Sequence, residues 1–307
     1  MGNSYSKKDA VHDPIIDQRN LESLRNYLRS YNPPRECVGG YLNILLFGMV
    51  GAGKSSTINT FFSALDLEGR MLNIAPSGND EQSLTPELRF YQQNFLHFWD
   101  PTGWNALTET ADVNNVLRMI LEGRVPPNTN DLVLERLLGL KVDKSPGPDG
   151  LHPRVLKEVA REIVDALLQE FNPSFDDQYP INPENVIHGV AFLFDMNTVS
   201  NIPQDEMKVF HKLQTVVAQK YIYRIVIGTN FDKLGIPEKY YGYIYDYKLL
   251  QEKFEKLSEY TGIDKRSMFA ITNTGKGQKI DQTRCVLTLY ILENMVRTID
   301  RYLKSTE

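Results

Sequence analysis

The stretch YLNILLFGMVGAGKSS, residues 41–56, constrains the fold more than any other part of the chain. Its first half is a continuous apolar run, which suits a strand buried on both faces of a sheet. Its second half, from Gly48 onward, matches G-x-x-x-x-G-K-[ST]. Glycines in that pattern let the backbone turn tightly and aim N–H groups at phosphate oxygens. A helix starting near Lys54 adds the positive end of its dipole to the same anion site. The expected phosphate cradle is Gly48, Gly51, Ala52, Gly53, Lys54, Ser55 and Ser56. Lys54 would reach the β- and γ-phosphates, and the Ser55 hydroxyl would ligate Mg2+.

The rest of the chain repeats one rhythm. STINTFFSAL follows as a helix, LRFYQQ (88–93) and FLHFWD (95–100) read as neighbouring strands, and ADVNNVLRMILEG as a helix stopped at Gly123. VIHGVAFLFD (186–195), YRIVIGTN (223–230) and SMFAITN (267–273) are further strands, separated by helices of ten or more residues. A long terminal helix, DQTRCVLTLYILENMVRTIDRYLK, closes the chain. Strands alternating with such helices predict an α/β fold, a doubly wound, mostly parallel sheet flanked by helices. With its phosphate loop, the class expected is a P-loop NTPase G domain.

A nucleotide site of that class needs further groups at the ends of later strands. FLHFWD runs into DPTG, a D-x-x-G in which Asp100 would hold Mg2+ through water and the Gly103 N–H would sense the γ-phosphate. YRIVIG runs into TNFD, residues 229–232, similar to the [NT]-K-x-D motif that reads guanine. A carboxylate accepts guanine's N1–H and exocyclic amine together, whereas adenine presents an acceptor at N1. Asp232 therefore argues for GTP over ATP, with Thr229 and Asn230 beside it; Asn230 stands where a lysine is usual, which weakens packing over the base. After the last strand, Asn273 or Thr274 is placed to support the base edge. The polar, turn-rich PSGNDEQSLTPEL (76–88) suits a switch loop, with Ser83 or Thr85 as the hydroxyl that senses metal and γ-phosphate. Trp104 follows Gly103 where a glutamine would orient the attacking water, so hydrolysis should be slow or depend on another group.

Composition excludes several classes. Of 307 residues, 41% are hydrophobic and 24% charged, as in a globular protein with a sizeable core. The net charge of −5 gives no general pull toward nucleic acid. Two cysteines, Cys37 and Cys285, without metal-ligand spacing, fit a reducing cytoplasm and no zinc site. His97, His188 and His211 have no spacing partner and read as structural, and the tyrosine-rich EKYYGYIYDYK (238–248) reads as a loop packed on the sheet. No apolar run is long enough to span a membrane. The start, MGNSYSKKDA, fits N-myristoylation at Gly2, with Lys7 and Lys8 giving a weak second attraction to an anionic membrane. The organisation expected is a flexible tail over 1–19, a helix and linker over 20–40, and a G domain over 41–303, interrupted by an insert at about 130–170.

YLNILLFGMVGAGKSS, HFWDPTG, HGVAFLFD and VIGTNFD together resemble the interferon-induced protein 44 and 44-like family of GTP-binding proteins, over roughly 41–125 and 171–303. The resemblance implies a G domain induced in innate antiviral defence. It also departs from the family. Some relatives carry an N-terminal TLDc-type domain, which forty residues cannot hold, and the DPTG proline and Asn230 vary the pattern. Residues 134–169, LERLLGLKVDKSPGPDGLHPRVLKEVAREIVDALLQ, are similar to the region ahead of the polymerase core in LINE-type retrotransposon reverse transcriptases. They contain no polymerase carboxylate pair and read either as an inserted turn and amphipathic helix or as a native helical lobe.

Two functions follow as expectations. The first is a GTP/GDP-binding, Mg2+-dependent switch with slow hydrolysis, cytoplasmic or membrane-associated, with unidentified protein partners and a nucleotide-dependent dimer as the candidate assembly. The second is a scaffold stabilised by nucleotide that acts through protein contacts with little or no hydrolysis. Direct nucleic-acid binding is not expected.

Overall fold

A seven-stranded sheet forms the centre of the molecule, in the order β4-β2-β3-β1-β5-β6-β7. The computed structural model describes residues 12–66, 70, 72–76, 87–101, 112–127, 129–130, 180–273 and 280–305. The strands are β1 (Leu42–Gly48), β2 (Glu87–Gln93), β3 (Leu96–Asp100), β4 (Thr129–Asn130), β5 (Gly189–Asp195), β6 (Tyr223–Thr229) and β7 (Met268–Ala270). Strand β1 pairs in parallel with β3 and β5, and β5–β6 and β6–β7 are also parallel. Only β2 runs the other way, antiparallel to β3 and β4. The sheet is therefore mixed but mostly parallel, as the alternating pattern predicted.

Every residue of β1 is buried, because both faces of the sheet are covered. Leu45 and Phe47 join one core with Leu117 of α3 (Asp112–Leu121), Leu213 of α4 (Gln204–Gln219) and Leu250 of α5 (Lys248–Thr261). Leu42, Ile44 and Leu46 join the other, with Leu24 of α1 (Gln18–Ser30), Phe61 of α2 (Lys54–Leu65) and Leu292 of α6 (Gln282–Ser305). This α/β/α layering follows from the period-2 alternation of a strand whose two faces are both apolar. The result is the α/β P-loop fold expected, its central strand leading directly into the phosphate loop.

Some expectations are changed by contacts the sequence pattern does not show. The strand expected from Val186 begins at Gly189, because the His188 ring accepts the Asn43 N–H through Nδ1 at 2.9 Å and takes over the last rung of the ladder. Strand β4, two residues paired to Glu87 and Leu88, was not anticipated and lies where the insert was expected to begin. The remainder of that segment, including 134–169, lies outside the described residues. The tail expected to be flexible is packed by residue 12. His12 is 7% exposed, stacks on Phe269 at 4.5 Å, and bonds Met268 O through Nε2 at 2.9 Å. Asp17 then caps α1 by accepting the Asn20 N–H, and Leu21, Leu24 and Leu28 bury that helix, which packs on α6.

The tyrosine-rich stretch packs as expected: Tyr241, Ile244 and Tyr245 are buried in the turn Glu238–Asp246. Both cysteines are buried and neither forms a disulfide. Among the described residues, no helix is long and apolar enough to cross a membrane.

Candidate functional site

In a parallel sheet the loops after the strands gather at one end, and the sequence motifs meet there. The loop after β1 delivers Gly53 as the N-cap of α2, at φ +86°. A side chain at Gly53 would be strained by that conformation and would also come within 2.9 Å of Asn273 Nδ2. Gly48 is as tightly placed, since a Cβ there would lie 2.7 Å from Leu193 O.

Lys54 is 8% exposed, and its ammonium donates to Gly48 O at 3.1 Å and Met49 O at 3.3 Å. Ser55 Oγ donates to Asp100 Oδ2 at 2.7 Å. Asp100, at the end of β3, is fully buried, and its Oδ1 has no hydrogen-bond partner among the described residues. Burial pushes the Asp100 carboxyl above the ordinary carboxylate range, opposed by Lys54, Ser55 and Arg89. Burial likewise pushes the Lys54 ammonium below its ordinary value, opposed by Asp100. Each charge thus partly offsets the cost of burying the other.

This donor set fits Mg2+. The ion takes hard oxygen ligands, commonly one or two carboxylates together with phosphate oxygens. Ser55 Oγ and the orphaned Asp100 oxygen supply that chemistry beside the phosphate loop. Among the described residues no cluster of three or more His, Cys, Asp or Glu side chains is placed to hold a metal. An ion here would share its shell with a nucleotide.

At the end of β6 the motif residues divide by role. The Thr229 hydroxyl is buried, donating to Ala52 O at 2.9 Å and Phe194 O at 3.2 Å. Its side chain ties β6 to the phosphate loop and to β5. Asn230 turns the chain with φ 57°, donating from Nδ2 to Asp195 Oδ2 at 2.8 Å. Asp232 follows in the short helix Phe231–Leu234, and its Oδ1 is buried without a partner among the described residues. Asn273 braces the same end. Its Oδ1 accepts from Thr57 and Thr60 at 3.2 and 3.3 Å, and its Nδ2 donates to Gly53 O at 3.4 Å. Ser56 and Ala52 lie in the loop and first helical turn as expected, with the Ser56 carbonyl accepting from Thr60. Gly103, Ser83, Thr85, Thr274, Trp104 and Gly2 lie outside the described residues.

Two residues of this region were not anticipated. Asp195 bonds Asn230, and only the end of a strand in the sequence pointed to it. Asn59, buried within α2, holds the N–H groups of Ile74 and Ala75 at 2.8 Å each and so fixes the approach to the polar loop. A buried asparagine one turn after Ser55 was the available signal.

No family model matches the chain. Mouse (Mus musculus) interferon-induced protein 44 is 22% identical over 95% of this chain, which spans 64% of that relative's length. Among solved structures, Toc33 from Arabidopsis thaliana in complex with GDP and Mg2+ is 12% identical, covering 94% of this chain and 92% of that one, with a TM-score of 0.41. The signal recognition particle receptor SRb-GTP/SRX complex from Chaetomium thermophilum is also 12% identical, covering 85% and 98%, with a TM-score of 0.35.

Proposed function

We propose that the chain binds guanine nucleotide with Mg2+ at this end of the sheet and hydrolyses GTP slowly, as a switch in the interferon-induced innate antiviral response. The observation that carries the reading is the Lys54–Ser55–Asp100 constellation. Its charges are buried at the start of a helix, and one carboxylate oxygen lacks a partner. A bound Mg2+ would neutralise charge on β- and γ-phosphate oxygens, held by Ser55 and Asp100, while Lys54 would turn from loop carbonyls to phosphate. The unpartnered Asp232 oxygen supports guanine as the base. The interferon-induced setting rests on the mouse relative's name. Cytoplasmic location, myristoylation at Gly2, a nucleotide-dependent dimer and unidentified protein partners complete the proposal.

A second reading is favoured by one observation. Lys54 and Ser55 already have partners within the protein, so the loop holds its shape by its own hydrogen bonds. A scaffold that uses nucleotide for stability would need no more than this. Calorimetry with GTP, GDP and ATP, with and without Mg2+, tests both. The switch reading expects GTP to bind at least about tenfold more tightly than ATP, the preference disappearing in Asp232→Ala. It also expects measurable phosphate release. GTP and GDP binding alike without turnover would favour the scaffold, and no binding by the folded chain would overturn both.

A further inference from the structure

We propose that Asp195, the last residue of β5, is the positioning residue of the base-reading turn. The inference rests on the guanine reading above and names a group that this reading did not contain.

Asn230 sits in the left-handed region, at φ 57° and ψ 31°. L residues seldom adopt that conformation, and asparagine does so mainly when its side chain is held by a hydrogen bond. Here the bond goes across strands, to Asp195 Oδ2 at 2.8 Å. The other Asp195 oxygen accepts both the backbone and side-chain N–H groups of Asn197, at 2.9 and 2.8 Å. Asn197 Nδ2 in turn reaches Asn230 O at 3.2 Å. Three side chains thus close a ring between the ends of β5 and β6.

What the ring holds is the start of the turn that carries Asp232. Asn230 O also accepts the Lys233 N–H at 3.0 Å, opening the short helix Phe231–Leu234. Phe231 is fully buried against Tyr241, with ring centroids 4.9 Å apart, and anchors the inner side. On the outer side, Asp195 and Asn197 anchor this turn through Asn230. A local role for Asp195, closing the chain after β5, needs only the oxygen that Asn197 uses. The second oxygen, spent on Asn230, is what links it to Asp232. This carboxylate–amide bond holds the outer side of the turn that carries the unpartnered Asp232 oxygen.

The test compares GTP and ATP affinity in the full chain for wild type, Asp195→Ala, and Asp195→Asn combined with Asn230→Asp, which exchanges donor and acceptor. Asp195→Ala should lower the GTP-over-ATP ratio by about tenfold, a loss expected of a displaced recognition group. The double variant should recover most of it. Amide hydrogen exchange across 230–233 in nucleotide-free protein should quicken in Asp195→Ala and slow again in the double variant. If Asp195→Ala fails to fold, the near-isosteric Asp195→Asn takes its place. A wild type that prefers GTP while Asp195→Ala keeps the full ratio overturns the proposal and leaves the guanine reading standing. Unchanged exchange in the turn also overturns it. A wild type without preference removes the guanine reading, and this proposal with it.

Discussion

The cluster around Asn43 and the phosphate-loop end of the sheet treat buried polar groups in opposite ways. At the end where β1, β3 and β5 begin, Asn43 is fully buried and fully engaged. Its Oδ1 accepts from Trp99 Nε1 at 3.0 Å and faces His97 Nδ1 at 3.2 Å, and its Nδ2 donates to the carbonyls of Glu184 and Val186. At the other end, Asp100 and Asp232 each keep a buried oxygen without a partner. The closed network specifies strand ends, and its one orphan, His97 Nε2, belongs to a ring stacked on Tyr41 at 4.0 Å. The open set carries an uncompensated cost that folding alone does not explain. A buried polar group left short of partners is thus the stronger pointer to a ligand.

The comparison is most exposed at Asn43. Asn43→Ala would leave an indole N–H and two carbonyls unpartnered at once, and should destabilise the chain by about 3–5 kcal/mol. A urea midpoint that barely moves would erase the distinction between the two regions. Acid should act next most strongly. Burial pushes His12, His97 and His188 down to about 4. The native state therefore favours neutral rings. Their contribution is complete above the unfolded histidine value near 6.5 and is lost as pH falls toward about 4, on the order of 3 kcal/mol at most for each ring. Asp100 carries the opposite sign: its raised carboxyl makes its contribution present at low pH and lost as pH rises through the folded value. Denaturant unfolding at pH 7 and pH 5, for wild type and for Asp100→Asn, separates the two. Asp100→Asn should lose Mg2+ dependence while keeping or gaining stability at pH 7.

Lys54→Ala sharpens the same contrast. Nucleotide affinity should fall roughly 100-fold, about 2.7 kcal/mol, from lost charge-assisted contacts. The nucleotide-free protein should be no less stable, because a buried ammonium has been removed. Calorimetry beside thermal unfolding reads both. The smallest effect belongs to Gly53→Ala, about 1–2 kcal/mol of stability, since alanine must adopt φ +86° and crowd Asn273.

Much of this was legible because its causes are local. The apolar run of β1, the glycines that follow it and the carboxylate ending β3 each carry their signal within a few residues. Period-2 burial on both faces and ten-residue helices between strands were enough to place the sheet. What the sequence did not show is long-range. The Thr229 hydroxyl, beside Asp232 in the motif, bonds Ala52 O, 177 positions away in sequence. Asn273 is likewise committed to the phosphate loop and α2. Asp195 gave no signal because its partner lies on the neighbouring strand. The same is true of His12, whose polar surroundings read as tail until Phe269 and Met268 are placed beside it.

That docked histidine has a consequence for how the molecule meets its neighbours. Strand β7 is the last in the sheet, only three residues long, and covered on its outer side, where Tyr245 accepts the Ala270 N–H and His12 stacks on Phe269. An exposed edge strand is a template for pairing between molecules, and short or covered edges suppress it. The imidazole of His12 occupies the Met268 carbonyl with a group that cannot continue a ladder. Residues that look like the entrance to the fold therefore act as its selvedge, finishing the sheet so that a second chain cannot be woven on.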